Sequence, residues 1–248
     1  MDTARINKLL LTKEIGRNII FLEETNSTNV FAKELPLDKT INGLLIIAEH
    51  QTSGIGRRGR IWTDEAGANI LFSIVMTNFT NPNLIPFASG IAVAKSISEI
   101  SVLKTECKWP NDVLLNNKKI SGTLIEKDKS KLIIGVGINI NQTNFGDLNK
   151  LATSLFIETN KIWDRELIIA TILNYIEPLI FIAQNNPNQI IDLWKKYTNF
   201  FGKIVEINTE TGNFTAEAID VNELGLLIIK KGNTIETLSS ADVSIKIN

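Results

Sequence analysis

The most informative stretch of the sequence is residues 48–62, Ala-Glu-His-Gln-Thr-Ser-Gly-Ile-Gly-Arg-Arg-Gly-Arg-Ile-Trp. This stretch follows the apolar run 44–47 and places three glycines, three arginines and a tryptophan in nine positions. Glycines let backbone N–H groups turn toward a ligand, and guanidinium groups bind anions through fixed pairs of donors. The stretch therefore predicts a strand that ends in an anion-binding loop. Composition alone leaves a solvated basic loop as the alternative.

The same loop contains a misleading pattern. Residues 54–59 spell Gly-x-Gly-x-x-Gly after a strand, but a dinucleotide-binding fingerprint also needs a helix at the last glycine and an acidic residue about twenty positions later. Gly59 leads instead into a second turn, and Asn78, Phe79 and Thr80 stand where the acid is required. A phosphate-binding P-loop is excluded as well, because no Gly-Lys-Ser/Thr closes the motif.

Composition narrows the class of protein. The chain has 248 residues, 26 Lys+Arg against 27 Asp+Glu, and 44% apolar residues, which argues against a global basic field for nucleic acid. A single cysteine excludes an internal disulfide, and the charged N-terminus lacks a long apolar run, so we expect a cytoplasmic protein without a membrane span. Cys107 is predicted to be a buried inert thiol rather than a nucleophile paired with His50, and no residues have metal-ligand spacing.

Outward from the loop, the pattern predicts a mixed β-sheet flanked by helices, an α+β fold. Strands are predicted at 18–22, 43–48, 69–77 and 131–140, with a hairpin at 113–126 and helices after Ser27, at 83–100, from Asp164 and after residue 187. Gly135 and Gly137 lie inside the last of these strands, which indicates that backbone or ligand approaches closely there. From residue 201 the pattern contains short strands only and predicts a small β-barrel, so the domains are expected at 1–200 and 201–248.

Polar residues that suit phosphoryl chemistry recur beside these apolar runs. They fall in four separate segments: Ser27-Thr28-Asn29, the loop from Gln51 to Trp62, Lys108-Trp-Pro-Asn-Asp112 with Lys119 and Gly122, and Gly135-x-Gly137-x-Asn139. Arginines and lysines near an aspartate suit a site that positions phosphates and neutralises developing charge. Trp62 fits either stacking on a base or burial in the core.

These four segments resemble the motifs of biotin–protein ligases, also called biotin–[acetyl-CoA-carboxylase] ligases, in order and spacing. The loop is similar to the family's signature loop, residues 108–126 resemble its second block nearly residue for residue, and Gly135-Val-Gly-Ile-Asn139 resembles its third. The resemblance covers roughly residues 18–248. It implies a catalytic domain like that of class II synthetases, followed by an SH3-like barrel.

The resemblance implies two reaction steps: ATP activates biotin as biotinyl-5′-AMP with Mg²⁺, and the acyl group passes to a lysine of a biotin carboxyl carrier protein. Lys119, Arg57 and Asp112 would be catalytic. The implied biotin contacts are Ser27, Thr28, Asn29, Gln51, Gly54, Gly56, Arg57, Lys119 and Gly122. The implied ATP and adenylate contacts are Arg57, Arg60, Trp62, Lys108, Asn111, Lys119 and Asn139.

Two departures from the family pattern stand out. Ile55 occupies a loop position where many members carry an arginine, and Ser27 comes too early to leave space for the DNA-binding domain of repressor members. We therefore expect no DNA binding. The expected assembly is either a monomer or a homodimer. The alternatives are a lipoate or octanoyl ligase or transferase of the same superfamily, a noncatalytic biotin- or nucleotide-binding module, and a nucleic-acid binder that uses the barrel.

Overall fold

The computed structural model describes residues 1–38, 40–209 and 212–239, together with the backbone of the strand Val243–Ile247. Its helices are Thr3–Leu9 (α1), Thr28–Glu34 (α2), Ile85–Ser101 (α3), Leu155–Thr159 (α4), Arg165–Asn185 (α5) and Pro187–Lys195 (α6). The strands of the first part are Ile19–Thr25 (β1), Leu44–Gln51 (β2), Gly54–Ile55 (β3), Ile61–Trp62 (β4), Ile70–Met76 (β5), Thr105–Lys108 (β6), Asp112–Leu115 (β7), Lys118–Asp128 (β8) and Lys131–Ile138 (β9). The remaining strands are Ile204–Thr209 (β10), Gly212–Val221 (β11), Leu227–Lys231 (β12), Thr234–Leu238 (β13) and Val243–Ile247 (β14).

A seven-stranded mixed sheet forms the main body, in the order β1-β2-β5-β9-β8-β7-β6. β1 and β2 are parallel, and the other neighbouring strands are antiparallel. Side chains alternate between the two faces of a strand, and the apolar runs of β2 and β5 are buried on both. Phe72 and Ile74 pack with the cluster that includes α3 and α5, whereas Val75 packs with Ala32 of α2. The predicted α+β sheet flanked by helices is confirmed.

Large side chains are missing from part of the sheet face that α2 covers. Ser73 of β5 lies opposite Gly135 of β9, and Gly137 of β9 lies opposite Gly122 of β8. All four positions belong to the same face as Val75, because side chains alternate between the faces along each strand and paired residues of neighbouring strands share a face. The three glycines and one serine leave a trough in which other groups can approach the backbone.

Two core helices, Pro82–Ser101 with its leading 3₁₀ turn and Arg165–Asn185, are long and apolar enough to span a membrane by length and composition. In the fold, however, 67% and 50% of their apolar windows are buried, and the two helices pack against each other and the sheet. α5 continues through Pro178, although a proline inside a helix removes one backbone hydrogen bond. Their hydrophobicity is explained by the core.

The N-terminal segment adds a short helix that the sequence pattern did not predict. Asp2 caps α1 by accepting a hydrogen bond from the Arg5 N–H, and Ile6 is fully buried. The carboxylate of Glu177 on α5 then accepts the backbone N–H groups of residues 13–15 at 2.7–2.8 Å. The segment is therefore anchored to the core by apolar burial and by hydrogen bonds to α5.

The C-terminal part is a five-stranded antiparallel sheet in the order β13-β12-β11-β10-β14, in agreement with the short strands predicted from residue 201. It docks on the main body through the indole N–H of Trp109, which donates to the carbonyl of Gly225 at 3.0 Å. Trp109 is 1% exposed. An aromatic contact between Phe87 and Trp194, with ring centroids 4.9 Å apart, lies beneath the connection.

Candidate active site

The glycine–arginine loop folds back as a small hairpin. Gly54 pairs with Trp62 across β3 and β4, and the Gly56 N–H donates to the Arg60 carbonyl at 2.7 Å. A Cβ atom on Gly54 would lie 2.5 Å from the Trp62 carbonyl oxygen, so this close return of the chain requires glycine. The side chain of Ile55, the residue that departs from the family pattern, is 43% exposed.

The hairpin brings the Trp62 indole onto the glycine trough. A Cβ atom on Gly137 would lie 2.5 Å from the ring, and one on Gly122 would lie 3.3 Å from it. The indole N–H of Trp62 is buried without a hydrogen-bond partner among the described residues. The predicted close approach at the strand glycines is confirmed for Gly137, because an aromatic ring lies where a side chain would be.

Lys119 and Asp112 lie beside this ring. The ammonium of Lys119 is 2.7 Å from the Asp112 carboxylate and 5.5 Å from the centroid of the Trp62 ring. A Cβ atom on Gly122 would lie 2.8 Å from the same ammonium, so the glycine makes room for it. The Lys119 side chain is 36% exposed, which leaves its charge available to an incoming anion.

Two more cations face Asp112. The Arg57 guanidinium donates to the Asn111 side-chain oxygen at 3.0 Å, and the Asn111 amide donates in turn to the Thr123 carbonyl at 2.7 Å. Burial lowers the pKa of Arg57, although the Asp112 charge opposes the shift. Burial likewise lowers the pKa of Lys108, against the same carboxylate. A partly desolvated cluster of cations with one shared carboxylate favours binding of an anion.

Residues 27–29 lie on the other side of the trough, at the start of α2. The N–H of Thr28 donates to the Gln51 side-chain oxygen at 2.7 Å, which joins the opening motif to the start of the loop. Ser27 is 3% exposed. Asn29 is also buried, and protein groups occupy both ends of its amide: Ser73 at the oxygen and Glu126 at the nitrogen. Both ends of the Asn29 amide are therefore engaged by protein groups.

Asn139 and Arg60 complete the predicted set. The Asn139 N–H donates to the Ile120 carbonyl, which places this residue next to Lys119, and its amide nitrogen donates to the Thr153 carbonyl at 3.0 Å. The side-chain oxygen of Asn139 is buried without a partner among the described residues. Arg60 is exposed, yet its charge lies close enough to lower the pKa values of Arg57 and Lys108.

Cys107 and His50 do not form a catalytic pair. Cys107 is 2% exposed, and burial raises the pKa of its thiol. The His50 ring lies 2.9 Å from the Asp64 carboxylate instead. The prediction of a buried inert thiol is confirmed. Within the described residues, no group of three His, Cys, Asp or Glu side chains is arranged to hold a metal ion.

Comparison with known proteins assigns the chain to a family. The model of the biotin/lipoate A/B protein ligase family matches residues 20–142, and that of the biotin protein ligase C-terminal domain matches residues 200–246. The bifunctional ligase/repressor BirA of Bacillus subtilis is 31% identical over 99% of this chain and 79% of its own length. The chain belongs to the biotin protein ligase family.

Other members of the biotin protein ligase family align along nearly the whole chain. The biotin–[acetyl-CoA-carboxylase] ligase of Mycobacterium tuberculosis is 29% identical over 92% of this chain and 88% of its own length. The structure of the Aquifex aeolicus biotin protein ligase in complex with biotin and ATP superposes with a TM-score of 0.85, at 30% identity, over 94% of this chain and all of that one. The fold expected from the resemblance is therefore confirmed over 94% of the chain.

In this member of the biotin protein ligase family, two residues that hydrogen-bond to predicted site residues were not identified from the sequence. Ser73 bonds to Thr28 and Asn29, and Glu126 bonds to Asn29. Ser73 gave one signal, since it is a lone hydroxyl residue within the apolar run of β5. Glu126 gave none, because an acidic residue near the end of an edge-proximal strand is usually solvated.

Proposed function

We propose that the chain is an ATP-dependent biotin–protein ligase. It activates biotin as biotinyl-5′-AMP, releases pyrophosphate, and transfers the biotinyl group to a lysine of a biotin carboxyl carrier protein. The observation that carries this proposal is the placement of Lys119 beside Asp112, Arg57 and the Trp62-covered glycine trough. The aligned Aquifex aeolicus protein is described in complex with biotin and ATP.

In the first step two anions must meet, because biotin's carboxylate attacks the α-phosphate of ATP. The Lys119 ammonium offsets the repulsion between them and the charge that develops in the transition state. Arg57 and Lys108 add positive charge on the phosphate side. Their lowered pKa values reflect burial, and a charge held out of water acts on a ligand more strongly than a solvated one.

The two ends of the substrates fit opposite parts of the site. Biotin's ureido ring takes donors and acceptors from Ser27, Thr28, Gln51 and the backbone of Gly54 and Gly56. Its alkyl chain lies over Gly122. Adenine lies against Trp62 and Asn139, whose buried and unpaired N–H and C=O groups gain hydrogen-bond partners when a base is bound.

In the second step the acceptor lysine must lose a proton before it attacks the acyl phosphate. Asp112 is the carboxylate that faces the site, and its 2.7 Å contact with Lys119 orients it. It serves as the acceptor of that proton or as the group that orients the amine. The amine nitrogen bonds to the acyl carbon of biotinyl-5′-AMP, the bond from that carbon to the phosphate oxygen breaks, and AMP leaves with the electron pair.

Magnesium enters this scheme bound to ATP. Mg²⁺ is commonly held by one or two carboxylates together with substrate phosphates rather than by a cage of protein ligands. The described residues fit that mode, since Asp112 supplies a carboxylate at the phosphate side and no larger cluster is present among them. When bound, the ion would neutralise phosphate charge, while the residues above position the reacting groups.

The proposal extends to location, partners and domains. A lone, buried cysteine suits a reducing cytoplasm. The catalytic part is proposed to end near residue 200 and the C-terminal part to cover residues 201–248, with a monomer or a homodimer as the assembly. Mass measurement in solution distinguishes the two assemblies.

Pyrophosphate release tests the substrate. The protein is incubated with ATP and Mg²⁺ plus biotin, lipoate or octanoate, and then with apo carrier protein whose mass gain is measured. We expect release and transfer with biotin alone. Release with lipoate but not biotin would assign the chain to the lipoate branch of the superfamily, and binding of biotin with no release would indicate a noncatalytic module.

A further inference from the structure

A continuous chain of hydrogen bonds runs beneath the proposed biotin end of the site. The Ser73 hydroxyl lies 2.7 Å from the Thr28 hydroxyl and 2.6 Å from the Asn29 side-chain oxygen. The Asn29 amide nitrogen donates to Glu126 at 2.9 Å. Thr28 contacts Gln51, so the chain joins the site to the far end of β8.

The space for this chain is built into the sheet. Ser73 is fully buried and Asn29 is 3% exposed. A Cβ atom on Gly135 would lie 2.3 Å from the Asn29 oxygen, so the amide fits only because the strand carries glycine there. Buried polar groups are costly unless they are paired, and here each of these side chains is paired.

The direction of each hydrogen in the chain follows from its fixed end. A carboxylate accepts only, so Glu126 and the Leu124 carbonyl both hold the nitrogen end of the Asn29 amide, and its oxygen must face Ser73. That oxygen also only accepts, so Ser73 gives it its one hydrogen. The same Ser73 hydrogen also faces the Thr28 hydroxyl oxygen, which accepts from Ser73 at 2.7 Å.

The Thr28 hydroxyl has its own acceptor. It donates to the Gln51 side-chain oxygen at 3.1 Å, while its oxygen accepts from Ser73 at 2.7 Å. With its hydrogen given to Gln51, Thr28 offers only a lone pair to a ligand. Gln51 keeps its oxygen on the Thr28 N–H and turns its NH₂ group away from Thr28.

We propose that Ser73 and Glu126 are positioning residues for ligand recognition. Ser73, held by Asn29 and Glu126, donates to Thr28 and so keeps the Thr28 hydrogen on Gln51, which leaves Thr28 as an acceptor for a ligand that offers an N–H group. The inference rests on the proposed function, in which that group is a ureido N–H of biotin. Neither residue touches the ligand. Each acts through Asn29 and Thr28.

Biotin affinity of variants, measured by calorimetry, tests the idea. Ser73→Ala removes the donor that orients the Thr28 hydroxyl, so the Thr28 hydrogen can turn from Gln51 toward the ligand N–H, and we expect a biotin affinity loss of about 10-fold. The KM for ATP should stay within twofold, which a general loss of structure would not allow. Ser89→Ala is the matched control, since Ser89 is equally buried and has one hydrogen bond, to Ile85.

A second set of variants keeps the test valid if Ser73→Ala folds poorly. Glu126→Leu removes the acceptor that holds Asn29 and should weaken biotin binding about as much, while Glu126→Gln keeps an oxygen for Asn29 and should stay within about twofold of the original protein. Lys33→Met breaks the 2.6 Å ion pair with Glu126 but leaves the carboxylate, so biotin affinity should be retained.

The outcomes separate this inference from the function it rests on. If the unmodified protein binds no biotin, the proposed function fails first. If it binds biotin and Ser73→Ala and Glu126→Leu bind equally well, the positioning role is wrong. A loss in Lys33→Met equal to that in Glu126→Leu would also overturn it, since the effect would then belong to the ion pair.

Discussion

Replacing Gly137 by alanine tests how the Trp62 ring is seated. The new methyl group would lie 2.5 Å and 2.6 Å from two ring atoms and 3.1 Å from a third, well inside van der Waals contact. Trp62 belongs to the short hairpin β3–β4 and is half-buried, so the ring can move away without breaking the sheet. The methyl group should therefore lift the hairpin from the glycine trough.

The size of the effect follows from the usual free-energy difference for overpacking, about 1–3 kcal/mol, which corresponds to about a 5- to 150-fold change in an equilibrium constant. Because the Trp62 ring moves and the core does not, we expect this difference of about 1–3 kcal/mol to weaken binding of the adenylate. The free energy of unfolding should change by less than about 1 kcal/mol. The adenylate should dissociate faster by a factor in that range.

Stopped-flow dissociation of biotinyl-5′-AMP measures the retention, and urea denaturation measures stability. Gly90→Ala, in α3, is the matched control, because a Cβ atom there would lie at an ordinary van der Waals distance of 3.4 Å from the Cys107 sulfur. Alanine at that helix position should leave dissociation unchanged. If Gly137→Ala holds the adenylate as long as the original protein does, the ring is not seated on the trough in the complex, and the reasoning fails.

Three further predictions concern charge. Lys119→Ala should lower the rate of adenylate formation at least about 100-fold while biotin affinity, by calorimetry, stays appreciable, since the ammonium acts mainly where the two anions meet; normal adenylation would remove this role. Arg57→Ala should speed adenylate escape, and an unchanged off-rate would discount the clamp. Burial alone would raise the pKa of Glu177, but hydrogen bonds from three backbone N–H groups lower that pKa overall from 4.5. The stability that the Glu177 carboxylate supplies is therefore present above about pH 4.5. It is lost as the pH falls through the lowered pKa of the folded state. Glu177→Gln should flatten that acid dependence in urea titrations and destabilise the fold by about 1–3 kcal/mol at pH 7.

Patterns of local origin were predictable from the sequence. The apolar runs of β2 and β5 identified the buried strands, and Asn116-Asn117 marked the tight turn between β7 and β8, where both residues adopt positive φ. Gly137 signalled a close approach because a strand rarely carries glycine without cause. These features depend on residues that are neighbours along the chain.

Features set by distant partners were not predictable. The amide of Asn29 was expected to contact biotin, but it is bonded to Ser73 and Glu126, which lie 44 and 97 positions further along the chain. Only the sheet order β5-β9-β8, with α2 packed across it, brings these groups together. Likewise α1 is short and weakly amphipathic, and it forms because Ile6 has a core to enter.

The bond between Trp109 and Gly225 bears on how the chain can be divided. Family models match residues 20–142 and 200–246 as separate stretches, which suggests interchangeable parts. Yet the indole that the C-terminal sheet buries stands next to Lys108 in sequence, within the block that carries the proposed ATP contacts. Cutting the chain near residue 200 would expose that ring and free the loop beside the phosphates. A mutational scan should therefore find losses of turnover at positions in the C-terminal sheet that never meet a substrate, and grafting that sheet from a relative should succeed only when the surface around Gly225 is transferred with it.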